Sequence, residues 1–194
     1  MKANNIADYK GLSIDYRKKQ KKLFRDGISQ KKKVIYWANE EIDLPMDDED
    51  VVHWWGTSEH QKVLEGRKTP IILSNYNEAY LDVGFNNIYG VNYGVYQTWR
   101  KLYGYEPRIA NANVIGGEVC MWNEIGTKHT FDQKVFLKAS VLGERLWNTN
   151  IDLSKELRNI ATRLQAQSER LRSRGFKMWP VTVGICEKDM SICF

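Results

Sequence analysis

Little in the sequence would staple a small scaffold or hold a metal. Three cysteines are too few for a disulfide framework, and no C-x-x-C or H-E-x-x-H spacing offers ligands. Proline occurs only four times. No stretch approaches the ~18 uncharged apolar residues of a spanning helix, which excludes membrane insertion by that route. The N-terminal MKANNIADYKG lacks the apolar run of a signal peptide. No G-x-S-x-G elbow is present, nor a phosphate-binding loop. Gly116-Gly117 is followed by Glu118 and not by Lys and Ser/Thr. N-x-S/T sequons are absent as well.

What is there is a globular composition, with 42% hydrophobic residues, in 194 residues. That length suits one domain with a sizeable core better than two. Aromatics are abundant, with 7 Trp, 10 Tyr and 6 Phe. The net charge of +5 is unevenly spread. Residues 1–33 carry 11 Lys/Arg against 3 Asp/Glu, whereas the rest of the chain has a net charge of −3. The basicity therefore belongs to one segment. The plain reading of its RKKQKK run is a solvated helix face, and the acidic remainder argues against a nucleic-acid partner.

Apolar spacing predicts a first helix over residues 8–24, with Gly27 as its stop. Four short apolar runs read as strands: Val34–Trp37, Val51–Trp55, Ile71–Asn75 and Val114–Ile115. Continuous runs of this kind suit strands buried on both faces of a parallel sheet. Helical patterns fall between and after them. Ser58 to Gln61 reads as a capping box before a short helix ending at Gly66. Val95, Trp99, Leu102 and Tyr103 keep helical spacing. Thr130 to Gln133 reads as a second capping box before Val135 to Leu146, and a last helix runs from about Asp152 to Arg172, closed by Gly175. The alternation implies βα units, an α/β fold with a parallel sheet. Four such strands leave two open edges, and a closed (β/α)₈ barrel needs about 250 residues. The chain is then a small open α/β domain or part of something larger.

Ligands of parallel α/β folds bind at the C-terminal ends of the strands. The residues there are Trp37 with Asn39, Glu40 and Glu41; Trp54 and Trp55; Asn75, Tyr76, Asn77, Tyr80 and Asp82; and Glu118, Trp122 and Glu124. Trp and Tyr faces stack on the C–H face of a pyranose, and carboxylates accept hydrogen bonds from its hydroxyls. Each aromatic taken singly reads as a core residue; their repetition at four strand ends points to a sugar cleft. Asp82 and Glu124 could form a glycosidase carboxylate pair. Glu118, after the Gly-Gly step, is expected to be buried and paired. Glu144-Arg145 reads as an ion pair at a helix end. His53 reads as a sheet residue, and no pair of histidines has ligand spacing.

At these residues the chain resembles a known family. The matching stretches are Tyr36-Trp37-Ala38-Asn39-Glu40; Ile71-Ile72-Leu73-Ser74-Asn75 leading to Tyr80-Leu81-Asp82; Ile115-Gly116-Gly117-Glu118-Val119-Cys120-Met121-Trp122-Asn123-Glu124; and Lys138-Ala139-Ser140-Val141-Leu142-Gly143-Glu144-Arg145-Leu146-Trp147. They resemble the C-terminal half of the catalytic barrel of family 20 glycoside hydrolases, the β-N-acetylhexosaminidases, over nearly the whole chain. The resemblance implies a partial (β/α)₈ barrel, strands five to eight with their helices, over residues 1–194. It also implies exo-hydrolysis of terminal β-linked N-acetylglucosamine or N-acetylgalactosamine, with the substrate's own acetamido oxygen as nucleophile.

By the same resemblance, Tyr80 is the catalytic residue, donating its hydroxyl to the acetamido oxygen. Trp37 and Trp55 wall the acetamido methyl, Trp122 stacks on the sugar, and Asp82 and Glu124 bind ring hydroxyls. That demotes the carboxylate pair to binding residues. The family's acid is an adjacent Asp-Glu pair after strand four, which the match places upstream of Met1, as it does the Arg that grips ring hydroxyls. The family often has Arg where Lys138 stands. It often bridges the C-terminal tail: Cys186 matches one half, Glu169 occupies the other position, and pairing of Cys186 with Cys193 or two free thiols both stay open.

The chain alone is then expected to be inactive, and a non-catalytic N-acetylhexosamine-binding fragment is the alternative reading. No cofactor or metal is expected. The implied partners are N-acetylhexosamine-containing glycans or glycoconjugates, with no nucleic acid and no membrane insertion, and the full-length form is allowed a homodimer. A lysosomal or secreted location rests on the resemblance alone.

Overall fold

The computed structural model describes residues 6–28, 32–39, 49–84, 94, 96–122 and 126–182. The chain divides into two compact units. The first comprises residues 1–73 and 108–115, the second residues 74–107 and 116–194.

The first unit holds helix α1 (Tyr9–Gly27), strands β1 (Ile35–Ala38), β2 (Val51–Trp54) and β3 (Ile71–Leu73), a 3₁₀ helix (Ser58–Leu64), and the first half of β4 (Val114–Gly117). Strand order in the sheet is β1-β2-β3-β4, as in the chain. Both β1–β2 and β2–β3 pair in parallel, with Tyr36 opposite Val52 and Val52 opposite Ile71. The expected α/β fold with a parallel sheet is therefore present. Ala38, Val52, Trp54, Leu64, Ile71 and Leu73 form the core of this unit.

Burial on both faces does not hold for β1, which alternates exposed and buried residues along its length. Tyr36 and Ala38 turn inward, whereas Ile35 and Trp37 remain exposed. β1 is an outer strand of the order, with a sheet neighbour on one side among the described strands. The 3₁₀ helix also departs from expectation. Its cap position is Thr57, not Ser58, and the Thr57 side chain makes no cap hydrogen bond. Thr57 Oγ1 instead meets His60 Nδ1 at 2.8 Å.

Helix α1 begins where Asp8 accepts a hydrogen bond from the Gly11 N–H at 2.7 Å. None of its residues is buried, so apolar packing contributes little to holding it. Its attachment is ionic. Lys21 pairs with the fully buried Asp50, and Arg25 Nη2 lies 3.2 Å from the other carboxylate oxygen. One end of the RKKQKK run thus turns inward, against the reading of a wholly solvated face. Removing one partner of a buried ion pair typically costs ~3–5 kcal/mol. Asp50→Asn is expected to release α1 selectively. Amide exchange should quicken across residues 9–27 and stay slow in β2 and β3; uniform acceleration, or none, would refute the ionic tether.

The second unit holds the single-turn helix α2 (Tyr76–Ala79), α3 (Trp99–Gly104), the last half of β4, and helices α4 (Phe131–Trp147) and α5 (Leu153–Ser173). Its core joins Leu102, Tyr103, Leu137, Val141, Leu142, Ile160 and Leu164 from three of these helices. α3 starts later than its apolar pattern suggests, because Thr98 caps it by accepting from the Lys101 N–H at 3.1 Å. Thr130 occupies the cap position of α4 but has helical backbone angles and bonds Thr127, so the second capping box does not form either. α5 agrees with its expected span: Asp152 caps it through the Ser154 N–H, and Gly175 follows at φ +90°.

Glu144 and Arg145 do not pair with each other. Neighbouring helical residues point about 100° apart, and each finds its own partner. Glu144 accepts from the Tyr103 hydroxyl at 2.6 Å and pairs with Arg163. Arg145 donates to the carbonyls of Tyr105 and Asn148 and reaches Glu106 at 3.3 Å. Among the described residues, no helix is long and apolar enough to cross a membrane.

Candidate active site

In the first unit, two tryptophans meet at the ends of β1 and β2. The parallel register sets Ala38 opposite Trp54, and the Trp55 N–H donates to the Ala38 carbonyl at 2.9 Å. Alternation along a strand sends successive side chains to opposite faces. Trp54 therefore enters the core, fully buried, and Trp55 takes the other side with Trp37. The Trp37 and Trp55 rings lie 6.1 Å apart and 12° from parallel. His53, opposite Trp37 in the register, supports it edge-on at 4.4 Å. Trp37 keeps 39% of its surface exposed. The result is a flat, braced aromatic surface of the kind that packs against a sugar substituent.

The second unit gathers Tyr80, Asp82 and Trp122. A parallel bridge sets Tyr80 opposite Cys120. It is closed by the Leu81 N–H to the Cys120 carbonyl at 2.8 Å and the Cys120 N–H to the Ala79 carbonyl at 2.9 Å. Asp82 and Trp122 each follow two residues beyond that bridge. The Trp122 ring stands 6.4 Å from Tyr80, tilted by 33°, and Tyr76 braces the phenol at 5.2 Å. Tyr80 is only 6% exposed, while Trp122 is 45% exposed.

Burial raises the Tyr80 hydroxyl well above the usual phenol range, with the neighbouring Cys120, Asp82 and Tyr76 adding to it. The Trp122 side-chain hydrogen bond opposes that shift. Tyr80 therefore carries its proton at any physiological pH and is available as an O–H donor. Burial likewise raises the Cys120 thiol to about 11, so it is not a thiolate nucleophile at neutral pH.

Asp82 is buried, and its carbonyl accepts from the Lys134 ammonium at 3.3 Å. Burial lowers the Lys134 pKa, and the Asp82 charge counters this. Lys134 did not stand out in the sequence. Its signal was available, however: Lys134 and Lys138 interrupt the buried stripe that Leu137, Val141 and Leu142 form on α4. Glu118 departs from expectation. It lies just past β4 and is exposed, with the Cys120 thiol 3.9 Å from its Oε1. Glu124 and the pair Cys186 and Cys193 lie outside the described residues. No group of three or more His, Cys, Asp or Glu among the described residues is placed to hold a metal.

A parallel sheet with aromatic and acidic side chains at its strand ends marks the class, an α/β domain. Comparison with known proteins makes this specific. The family model of the glycosyl hydrolase family 20 catalytic domain matches residues 1–150. The β-hexosaminidase subunit beta of Mus musculus is 31% identical over 94% of this chain, and that of Rattus norvegicus 30% over 95%. The chain spans about a third of the length of these relatives, 34% and 35%. An exo β-N-acetylglucosaminidase structure from Vibrio harveyi superposes with a TM-score of 0.70 at 20% identity, covering 93% of this chain and 29% of that one. A β-N-acetylhexosaminidase structure from Bacteroides fragilis gives the same TM-score at 17% identity, over 91% and 37%. At such identities the superpositions establish the fold, a part of this family's TIM barrel. The chain belongs to glycosyl hydrolase family 20, the β-hexosaminidase family.

Proposed function

We propose that residues 1–194 are the C-terminal half of a β-N-acetylhexosaminidase barrel and supply the pocket for a terminal β-linked N-acetylhexosamine. The observation that carries this reading is Tyr80: nearly buried, kept protonated by its surroundings, and flanked by the half-exposed Trp122. In substrate-assisted retaining hydrolysis the 2-acetamido oxygen attacks the anomeric carbon. A fixed O–H donor on that oxygen orients it for attack and stabilises the charge that develops, which is the role assigned to Tyr80. Trp37 and Trp55 close around the acetamido methyl, Trp122 stacks on the ring, and Asp82 and Glu124 accept from ring hydroxyls. A lysosomal or secreted location, and a homodimer of the full-length form, belong to the same reading.

The general acid of this chemistry is an adjacent Asp-Glu pair, and the matching motifs assign none of this chain's residues to it. The 194-residue chain alone is therefore expected to bind the sugar without hydrolysing it. Loss of general acid catalysis alone costs ~10²–10⁴-fold. Purified chain should quench its Trp fluorescence on adding N-acetylglucosamine but not glucose, which lacks the acetamido group. It should release no aryl group from an aryl β-N-acetylglucosaminide. Tyr80→Phe should weaken the sugar by about threefold to tenfold, the worth of one hydrogen bond. Turnover above the buffer rate would overturn the inactivity. Equal response to both sugars, or an unchanged Tyr80→Phe, would overturn the pocket.

A further inference from the structure

The second unit has an open pocket of about 440 Å³ between α3, the middle of α4 and the segment after α5. None of the residues lining it is among those assigned to the sugar. Its walls are aromatic. Tyr96 and Trp179 stand 6.0 Å apart at 47°, and Trp99 is held in place by its indole N–H, which donates to the Val181 carbonyl at 2.8 Å. Two cations, Arg100 and Lys138, line the cavity, and no acidic residue among the described residues does.

Lys138 is the unusual member. It is 4% exposed, and its ammonium finds no hydrogen-bond acceptor among the described residues. The ammonium sits over the face of Tyr96, with Nζ 4.0 Å from the ring centroid. Lys134, one turn earlier on the same helix, adds a like charge nearby. A buried ammonium without an acceptor is costly. Here it lines a space large enough for a guest that could supply one.

We propose that this cavity binds a small aromatic carboxylate, its carboxylate on the Lys138 ammonium and its ring against Tyr96 and Trp179. A carboxylate provides the missing acceptor and cancels the buried charge, and the apolar body matches the walls. A neutral amide of the same shape offers a carbonyl acceptor but cancels no charge. Hydrogen bonds between charged partners contribute about 1.5–3 kcal/mol, so charge should change affinity by tenfold or more.

The test uses the full 194-residue chain with 2-naphthoate and its uncharged counterpart 2-naphthamide. Binding is followed through Trp fluorescence and the melting temperature. The expected result is naphthoate bound at least about tenfold more tightly than the amide, with a matching rise in melting temperature only for naphthoate. Lys138→Met should bring naphthoate down to the amide's affinity, and Trp179→Ala should weaken both. Equal affinity of the two probes would overturn the proposal. So would full retention of naphthoate by Lys138→Met, or no binding of naphthoate up to about 5 mM. If either variant fails to fold, the ratio of the two probes on the unaltered chain decides.

Discussion

Replacing Gly84 by alanine should cost the second unit most of its stability. Gly84 sits at φ +102°, in the region that L side chains rarely adopt. A Cβ there would lie 2.3 Å from the Tyr96 Cα and 2.6 Å from its backbone nitrogen. No rotamer change relieves a clash with main chain, so the segment must move or the unit must open. Strain at such an angle costs about 1–3 kcal/mol, and forced overpacking adds a further ~1–3 kcal/mol. That total rivals the whole stability of a small domain. Urea unfolding should show a midpoint well below that of the unaltered chain. Loss should centre on the tryptophans of the second unit, Trp99, Trp122, Trp147 and Trp179. An alanine variant with an unchanged midpoint would show that the close approach of Gly84 and Tyr96 does not exist in solution.

The second large effect runs in the opposite direction. Lys138→Met should stabilise the chain, although it removes a charged group from a helix. Burial, reinforced by the nearby Lys134, lowers the Lys138 pKa from 10.5 to about 8. That difference corresponds to about 3 kcal/mol lost by holding the ammonium in the folded state. The sign follows from proton counting. Below pH 8 Lys138 is charged both folded and unfolded, and the full cost is present. Between about 8 and 10.5 the folded chain releases the proton while the unfolded chain keeps it, so stability rises with pH. The advantage of Lys138→Met should therefore be greatest at neutral pH, roughly 5–10 °C in melting temperature. It should shrink as pH rises through that window.

The groups that face Lys138 leave this sign intact. Tyr96 presents its ring, Lys134 repels, and Arg100 carries the same charge. A destabilised methionine variant, or a pH-independent gap, would show that Lys138 has an acceptor in solution. The same measurement bears on the cavity, since a bound carboxylate would erase much of the advantage.

The strands were legible because each is a short apolar run bounded by polar residues, and all four emerged within a few residues of their observed limits. The helices α4 and α5 were legible for the corresponding reason, an apolar stripe at 3.6-residue spacing. The caps were less so. Ser58 and Thr130 have the right residue types and spacing for capping boxes, yet the cap position of the first helix falls on Thr57 and the Thr130 side chain makes no cap hydrogen bond. A cap depends on the direction from which the chain enters the helix, and spacing carries no such information. Buried charge was the other blind spot. Asp50 and Lys21 are 29 positions apart, and nothing local in either marks the pairing. Glu118 went the other way: its Gly-Gly context suggested burial, but exposure depends on what covers a strand.

The sequence by itself determined the family resemblance, the order of the strands and long helices, and the residue types at the strand ends. These are local properties, written in runs, spacings and motifs. Only the tertiary structure decided that Trp37 stacks on Trp55, that burial holds the Tyr80 proton in place beside Trp122, and that Lys138 lines an aromatic pocket without an acceptor among the described residues. Those are properties of surroundings. Desolvation and charge act across space, between groups that the chain separates by up to tens of residues, and only folding brings those groups together.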